Sequence, residues 1–107
     1  MMRSIYVEPV KDPRIVQIQH TLTHLQALVG GMIEVVEAFD DQDVVIVCDE
    51  CGRNDGKSVN RVINDRIDNC GSFFICGYND SALCSIPEPK LFKYFSMFRI
   101  DKNGPTN

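Results

Sequence analysis

Asn60-Arg61 is the neighbouring pair in this sequence best equipped to hold a ligand. An amide offers a donor and an acceptor together, and a guanidinium offers a planar fork of donors that matches a phosphate or a carboxylate. Tyr6, Glu8 and Glu34 become neighbours of the pair if the first strand and the strand after Gly31 lie side by side. The competing use is internal: Asn60-Arg61 can pin its own loop by donating to backbone carbonyls. A second set of groups is acidic. Asp40, Asp41 and Asp43 form the tightest charge run, and Asp49 and Glu50 follow the next apolar stretch. Such carboxylates either solvate a turn or meet the basic groove of a partner protein.

Other groupings fall short of the chemistry they suggest. Residues 52–58, Gly-Arg-Asn-Asp-Gly-Lys-Ser, look like a phosphate loop but lack one residue between the glycines, and the Val59-Asn60 that follows is a poor helix start. Cys48-Asp49-Glu50-Cys51-Gly52 has the form of a zinc knuckle. A structural zinc needs four ligands, however, and Cys70 and Cys76 are too far apart to make a second knuckle. His20 and His24 lie one helical turn apart with no carboxylate or nucleophile in their sequence context. No nucleophile elbow is present. The expectation is a protein without catalytic residues, metal or cofactor.

The elements that would position these groups are legible from periodicity. Residues 3–8 and 14–19 read as two strands joined by the turn-rich 9–13, bounded by Pro9 and Pro13. Thr21 is a fitting N-cap for a short helix carrying Leu22, Leu25, Leu28 and Val29 on one stripe, and Gly30-Gly31 ends it. Residues 32–39 form a partly buried strand, and Val44 to Cys48, apolar without alternation, is the candidate central strand. From 49 to 69 the pattern dissolves into a long loop with an apolar island at 59–63, before Phe73-Phe74-Ile75 returns to strand. Ser85 can cap a last helix with Leu91, Phe92, Phe95 and Phe98 on its buried stripe. Together these predict an α+β fold: a mixed or antiparallel sheet of four to five strands, one short helix after the first hairpin and a C-terminal helix. A β-grasp-like order is compatible. One domain is expected over 1–101, followed by a flexible tail at 102–107.

The chain has 107 residues and a formal net charge of −4. Its scattered basic residues leave no stripe to hold nucleic acid directly. No apolar run approaches the roughly 20 residues that span a bilayer, and the first residues do not form a signal peptide. Five cysteines, an odd number, inside or beside apolar runs suggest reduced thiols and a cytoplasmic protein.

Several pieces resemble a known family: Val7-Glu8-Pro9, the run from Leu25 through Gly30-Gly31 to Val35, Val44 to Cys48, Asn60-Arg61, and Gly71-Ser72-Phe73-Phe74-Ile75. In this order they resemble the domain-of-unknown-function family numbered 3846, small proteins of Gram-positive bacteria, their phages and mobile elements. Cys51, and Ser58-Val59 before the Asn, depart from its pattern. The resemblance implies an accessory protein that binds a host component. The leading expectation is therefore a non-enzymatic counter-defence protein that sequesters a small nucleotide signal through Asn60, Arg61, Tyr6, Glu8 and Glu34, as a symmetric homo-oligomer. The alternative is an acidic inhibitor that presents Asp40, Asp41, Asp43, Asp49 and Glu50 to a host defence nuclease or effector. A small housekeeping accessory domain is the second alternative.

Overall fold

Ile5-Tyr6-Val7 and, after the turn, Ile15-Val16 are β-branched or aromatic, and the chain enters a sheet at once. The computed structural model describes residues 1–52, 56–57, 59–64 and 67–100. β1 (Met2–Val7) and β2 (Arg14–Ile18) form an antiparallel hairpin with Met2 opposite Ile18 and Tyr6 opposite Arg14. Thr21 caps α1 (Leu22–Val29), its hydroxyl accepting the His24 amide at 3.3 Å. Gly30 closes the helix at φ 78°, a left-handed conformation that glycine adopts without a Cβ clash. β3 (Ile33–Val36) and β4 (Val44–Asp49) follow as an antiparallel pair.

The predicted loop between 49 and 69 contains a hairpin instead, β5 (Val59–Asn64) and β6 (Ile67–Cys70), which among the described residues pair only with each other. β7 (Phe73–Asn79) then returns to the main sheet and turns through Asp80 and Ser81, both at positive φ, into β8 (Ala82–Cys84). Two successive left-handed residues are what a two-residue hairpin turn requires. α2 (Glu88–Met97) ends the described fold. Its cap position is Pro87 and not Ser85, whose hydroxyl accepts the Arg3 amide at 2.9 Å.

The main sheet runs β2-β1-β7-β4-β3, with β8 paired to β7, and every pairing is antiparallel. The middle position belongs to β7, and β4 lies beside it, buried along its whole length. A strand buried on both faces needs cover on both, and the two helices supply it. Val45, Val47, Phe74 and Cys76 pack with Leu25 and Val29 of α1. The alternate residues Val44, Ile46, Cys48, Phe73 and Ile75 pack with Tyr94 and Phe98 of α2. The α2 stripe is rotated from the expected one: Tyr94 is buried, whereas Phe92 is 78% exposed. The result is an α+β protein of three layers, helix, sheet and helix.

Candidate functional site

The chain after β4 is tied back to the end of α1 by Lys57. Its ammonium donates to the Val29 carbonyl at 3.0 Å, the Gly30 carbonyl at 2.9 Å and Asp49 Oδ2 at 2.5 Å. An ammonium has three protons, so all are engaged. The cation also satisfies carbonyls at the negative end of a helix. The Asp49 side chain is 1% exposed, and its other oxygen accepts the Cys51 amide at 3.0 Å. Side chains are excluded around this pair: a Cβ on Gly31 would lie 2.5 Å from Asp49 Oδ1, and one on Gly71 2.7 Å from Lys57 Cδ. The paired glycines therefore both end a helix and seat an ion pair. In the phosphate-loop-like segment, Arg53, Asn54, Asp55 and Ser58 lie outside the described residues, and Lys57 serves this internal role.

β5 carries Asn60 and Arg61 to a junction of several segments. Asn60 Nδ2 donates to the carbonyls of Val7 and Gly71, each at 2.9 Å. Arg61 Nε and Nη2 donate to the Phe98 carbonyl at 3.3 and 3.0 Å. Its Nη2 also reaches the Lys11 carbonyl at 2.7 Å, and Nη1 the Asn60 carbonyl at 3.2 Å and Asn60 Oδ1 at 2.8 Å. A guanidinium has five N–H donors, and each here has an acceptor. The pair thus clamps the β5–β6 hairpin to the β1–β2 turn, to the chain entering β7 and to the end of α2. Burial pushes the Arg61 guanidinium below its ordinary pKa, against the opposing pull of Asp12.

An open groove of about 410 Å³ adjoins this clamp, lined by Val10, Asn60, Arg61, Arg99 and Ile100. Arg99 is exposed, and no hydrogen bond or ion pair engages its guanidinium among the described residues. Ile100 is held in place by its amide, which donates to Asp12 Oδ1 at 2.9 Å. The groove therefore combines one fixed cation, one unengaged cation and two aliphatic side chains.

The remaining predicted ligand residues do not join it. Tyr6 donates its hydroxyl to the Leu28 carbonyl at 2.6 Å and lies under the Arg14 guanidinium, 5.5 Å from the ring centre. Glu8 pairs with Arg14 at 2.9 Å and with Lys11 at 4.0 Å. Glu34 is exposed on β3, separated from β1 by β7 and β4. At roughly 4.8 Å per strand step, that separation is about 14 Å. The first strand and the strand after Gly31 are not neighbours, which corrects the premise that grouped Tyr6 and Glu8 with Glu34.

The acidic set divides as well. Asp41, with 8% of its side chain exposed, accepts from Lys90 at 2.6 Å, from the Tyr94 hydroxyl at 2.9 Å and from the Asp43 amide at 3.1 Å. Lys90 also reaches Asp43 at 3.1 Å. These bonds fasten the β3–β4 loop to α2. With Asp49 bound to Lys57, three of the five carboxylates are engaged inside the chain, and Asp40 and Glu50 are exposed. Burial pushes the thiols up, Cys48 to about 11 and Cys76 to about 12. No group of three or more potential metal ligands gathers among the described residues.

Sequence reasoning missed Arg99, Val10 and Lys57. Only Lys57 gave a local signal, as the basic residue after Gly56; the other two depend on how remote segments meet. Residues 2–99 match the family model described as Domain of unknown function (DUF3846). No curated protein and no solved structure matches the chain. No helix among the described residues is long and apolar enough to cross a membrane.

Proposed function

We propose that this chain, which belongs to the family Domain of unknown function (DUF3846), is a non-enzymatic binding protein that captures a small anionic ligand of the nucleotide-signal kind. The ligand site is the groove beside Asn60 and Arg61. What favours it is the pair of guanidinium groups there: Arg61 fixed by carbonyls, and Arg99 exposed and unengaged among the described residues. In a chain of net charge −4 this is a local cationic spot, and such a spot draws an anion from solution. Arg61 contributes charge without spare donors, and Arg99 contributes the fork that bonds phosphate oxygens. The volume of about 410 Å³ suits a small molecule. Guanidinium groups stay charged and neither give nor take a proton near neutral pH, which favours capture over turnover.

A role in antagonising host defence on behalf of a phage or mobile element extends from the family resemblance, with a cytoplasmic site of action. The alternative of an acidic inhibitor has fewer groups to offer a partner, because Asp41, Asp43 and Asp49 are bonded within the fold.

Thermal-shift and calorimetric titration with cyclic nucleotides and ADP-ribose derivatives tests the proposal. Ligand bound only by the native state raises the melting temperature. Arg99→Ala is the informative variant, since it removes a cation that no hydrogen bond or ion pair engages among the described residues. The expected result is binding that weakens with salt and falls about ten-fold or more in Arg99→Ala. Absence of binding across the panel, or binding indifferent to Arg99→Ala, would refute it.

A further inference from the structure

The turn that walls the groove, Glu8 to Lys11, has Pro9 second and puts Val10 third, the position at which a type II turn takes a positive φ. Val10 has φ 55°, a left-handed conformation that β-branched side chains strongly resist, and it is 88% exposed. An aliphatic side chain is thus projected into solvent at the rim of a cationic groove. The surroundings enforce the conformation from both sides. The Lys11 amide donates to the Glu8 carbonyl at 3.3 Å, and Arg61 Nη2 holds the Lys11 carbonyl at 2.7 Å. Asp12 Oδ1 in turn accepts the Ile100 amide and so brings Ile100 to the same groove. An exposed aliphatic side chain fixed by this turn on the wall of a groove that also holds two guanidinium groups points to recognition.

We infer that Val10 and Ile100 form an apolar wall against which the flat, weakly polar part of a ligand packs while its phosphate rests on Arg99. The groove then selects a nucleoside phosphate over a sugar phosphate or a bare phosphate. This inference rests on the groove being an anion site, and it adds Val10 as the residue that sets specificity. Planar bases present the right chemistry, since their faces bury apolar surface and their edges remain open to water in a groove of this shape.

Calorimetry with nucleoside monophosphates, ribose 5-phosphate and inorganic phosphate separates the two levels. The unsubstituted chain is expected to bind the best nucleoside monophosphate about ten-fold or more tighter than ribose 5-phosphate. Val10→Asn, a residue that tolerates the left-handed region, should erase that preference, leave ribose 5-phosphate binding unchanged and not lower the melting temperature of the unliganded protein. Val10→Ile should keep the preference. Equal binding of nucleoside monophosphate and ribose 5-phosphate, or a preference that survives Val10→Asn, overturns the role of Val10 while leaving an Arg99-dependent anion site intact. If no phosphate compound binds in an Arg99-dependent way, the anion site falls and the inference with it.

Discussion

Asp41 is held as a carboxylate by its neighbours. Burial pushes its pKa up, but hydrogen bonds from Lys90, the Asp43 amide and Tyr94 outweigh that and leave it below its ordinary value. Burial, followed by the Asp41 hydrogen bond, raises Tyr94 to about 12. The signs give a window. A carboxyl group with a depressed folded pKa stabilises the fold above its unfolded pKa of about 3.9, and that contribution is lost as pH falls through the folded value. A phenol raised to about 12 stabilises the fold below its unfolded pKa, and that contribution is lost as pH rises toward the folded value. Asp41→Asn should therefore lower the melting temperature by about 5 °C near pH 7, a gap that narrows as the pH is taken below about 3.9. A pH series of melting curves for both proteins checks this; a gap that persists undiminished in acid would mean that Asp41 acts through packing and not through its charge. The same residue was a candidate for meeting a partner's basic groove. Its sequence context, an aspartate in an acidic turn, could not reveal that Lys90 and Tyr94 lie 49 and 53 positions away along the chain yet within bonding distance.

At the scale of elements, the β5–β6 hairpin depends on side chains more than on sheet. Among the described residues it pairs with no other strand, and Asn60 and Arg61 carry its hydrogen bonds to Val7, Lys11, Gly71 and Phe98. Removing the guanidinium leaves the Lys11 and Phe98 carbonyls without their charged donor, so Arg61→Ala should release the hairpin while the main sheet stays folded. Amide hydrogen exchange over 59–64 and 67–70 is expected to quicken about ten-fold or more, with β4 and β7 unchanged. Uniform acceleration across the chain would instead make the clamp part of global stability. For the same reason an Arg61 substitution is a poor test of ligand binding and Arg99→Ala a clean one. The hairpin escaped sequence reading because Asn60, Arg61 and Asn64 interrupt its apolar residues without strict alternation. A strand pair outside the main sheet needs no continuous apolar face to declare it. Phe92 misled for a related reason. A large aromatic beside Leu91 suggests core, but the face at positions 91, 94, 95 and 98 is the one that meets the sheet. Tyr94 can be buried there because Asp41 accepts from its hydroxyl.

The whole molecule is a sheet enclosed between two helices, and that enclosure governs its thiols. Cys48 faces the α2 side and Cys76 the α1 side, each in a separate core cluster, so the α2 layer must open before reagent reaches Cys48 and the α1 layer before it reaches Cys76. Burial raises Cys48 to about 11, helped by the nearby charges of Glu34 and Asp49, and raises Cys76 to about 12. A thiol with so high a pKa presents little thiolate near neutrality. Native protein treated with iodoacetamide at about pH 8 should leave Cys48 and Cys76 unmodified, and both should react once denatured. Mass spectrometry of the peptides reads the result. Rapid native labelling of either residue would show that one of the helical layers opens easily.

The sequence alone determined the parts of this protein that arise from local pattern. A hydroxyl cap at Thr21, a leucine stripe and a left-handed glycine specify α1, and an unbroken apolar run specifies a strand covered on both faces, because these preferences act over a few neighbouring residues. Tertiary structure decided what the polar residues do. Asn60 finds the Val7 carbonyl 53 positions away, and Arg61 finds the Phe98 carbonyl 37 positions away. Every residue carries such a carbonyl, so nothing in a sequence marks which will be brought within reach. The groove of Val10, Arg99 and Ile100 exists only because those remote bonds draw its walls together.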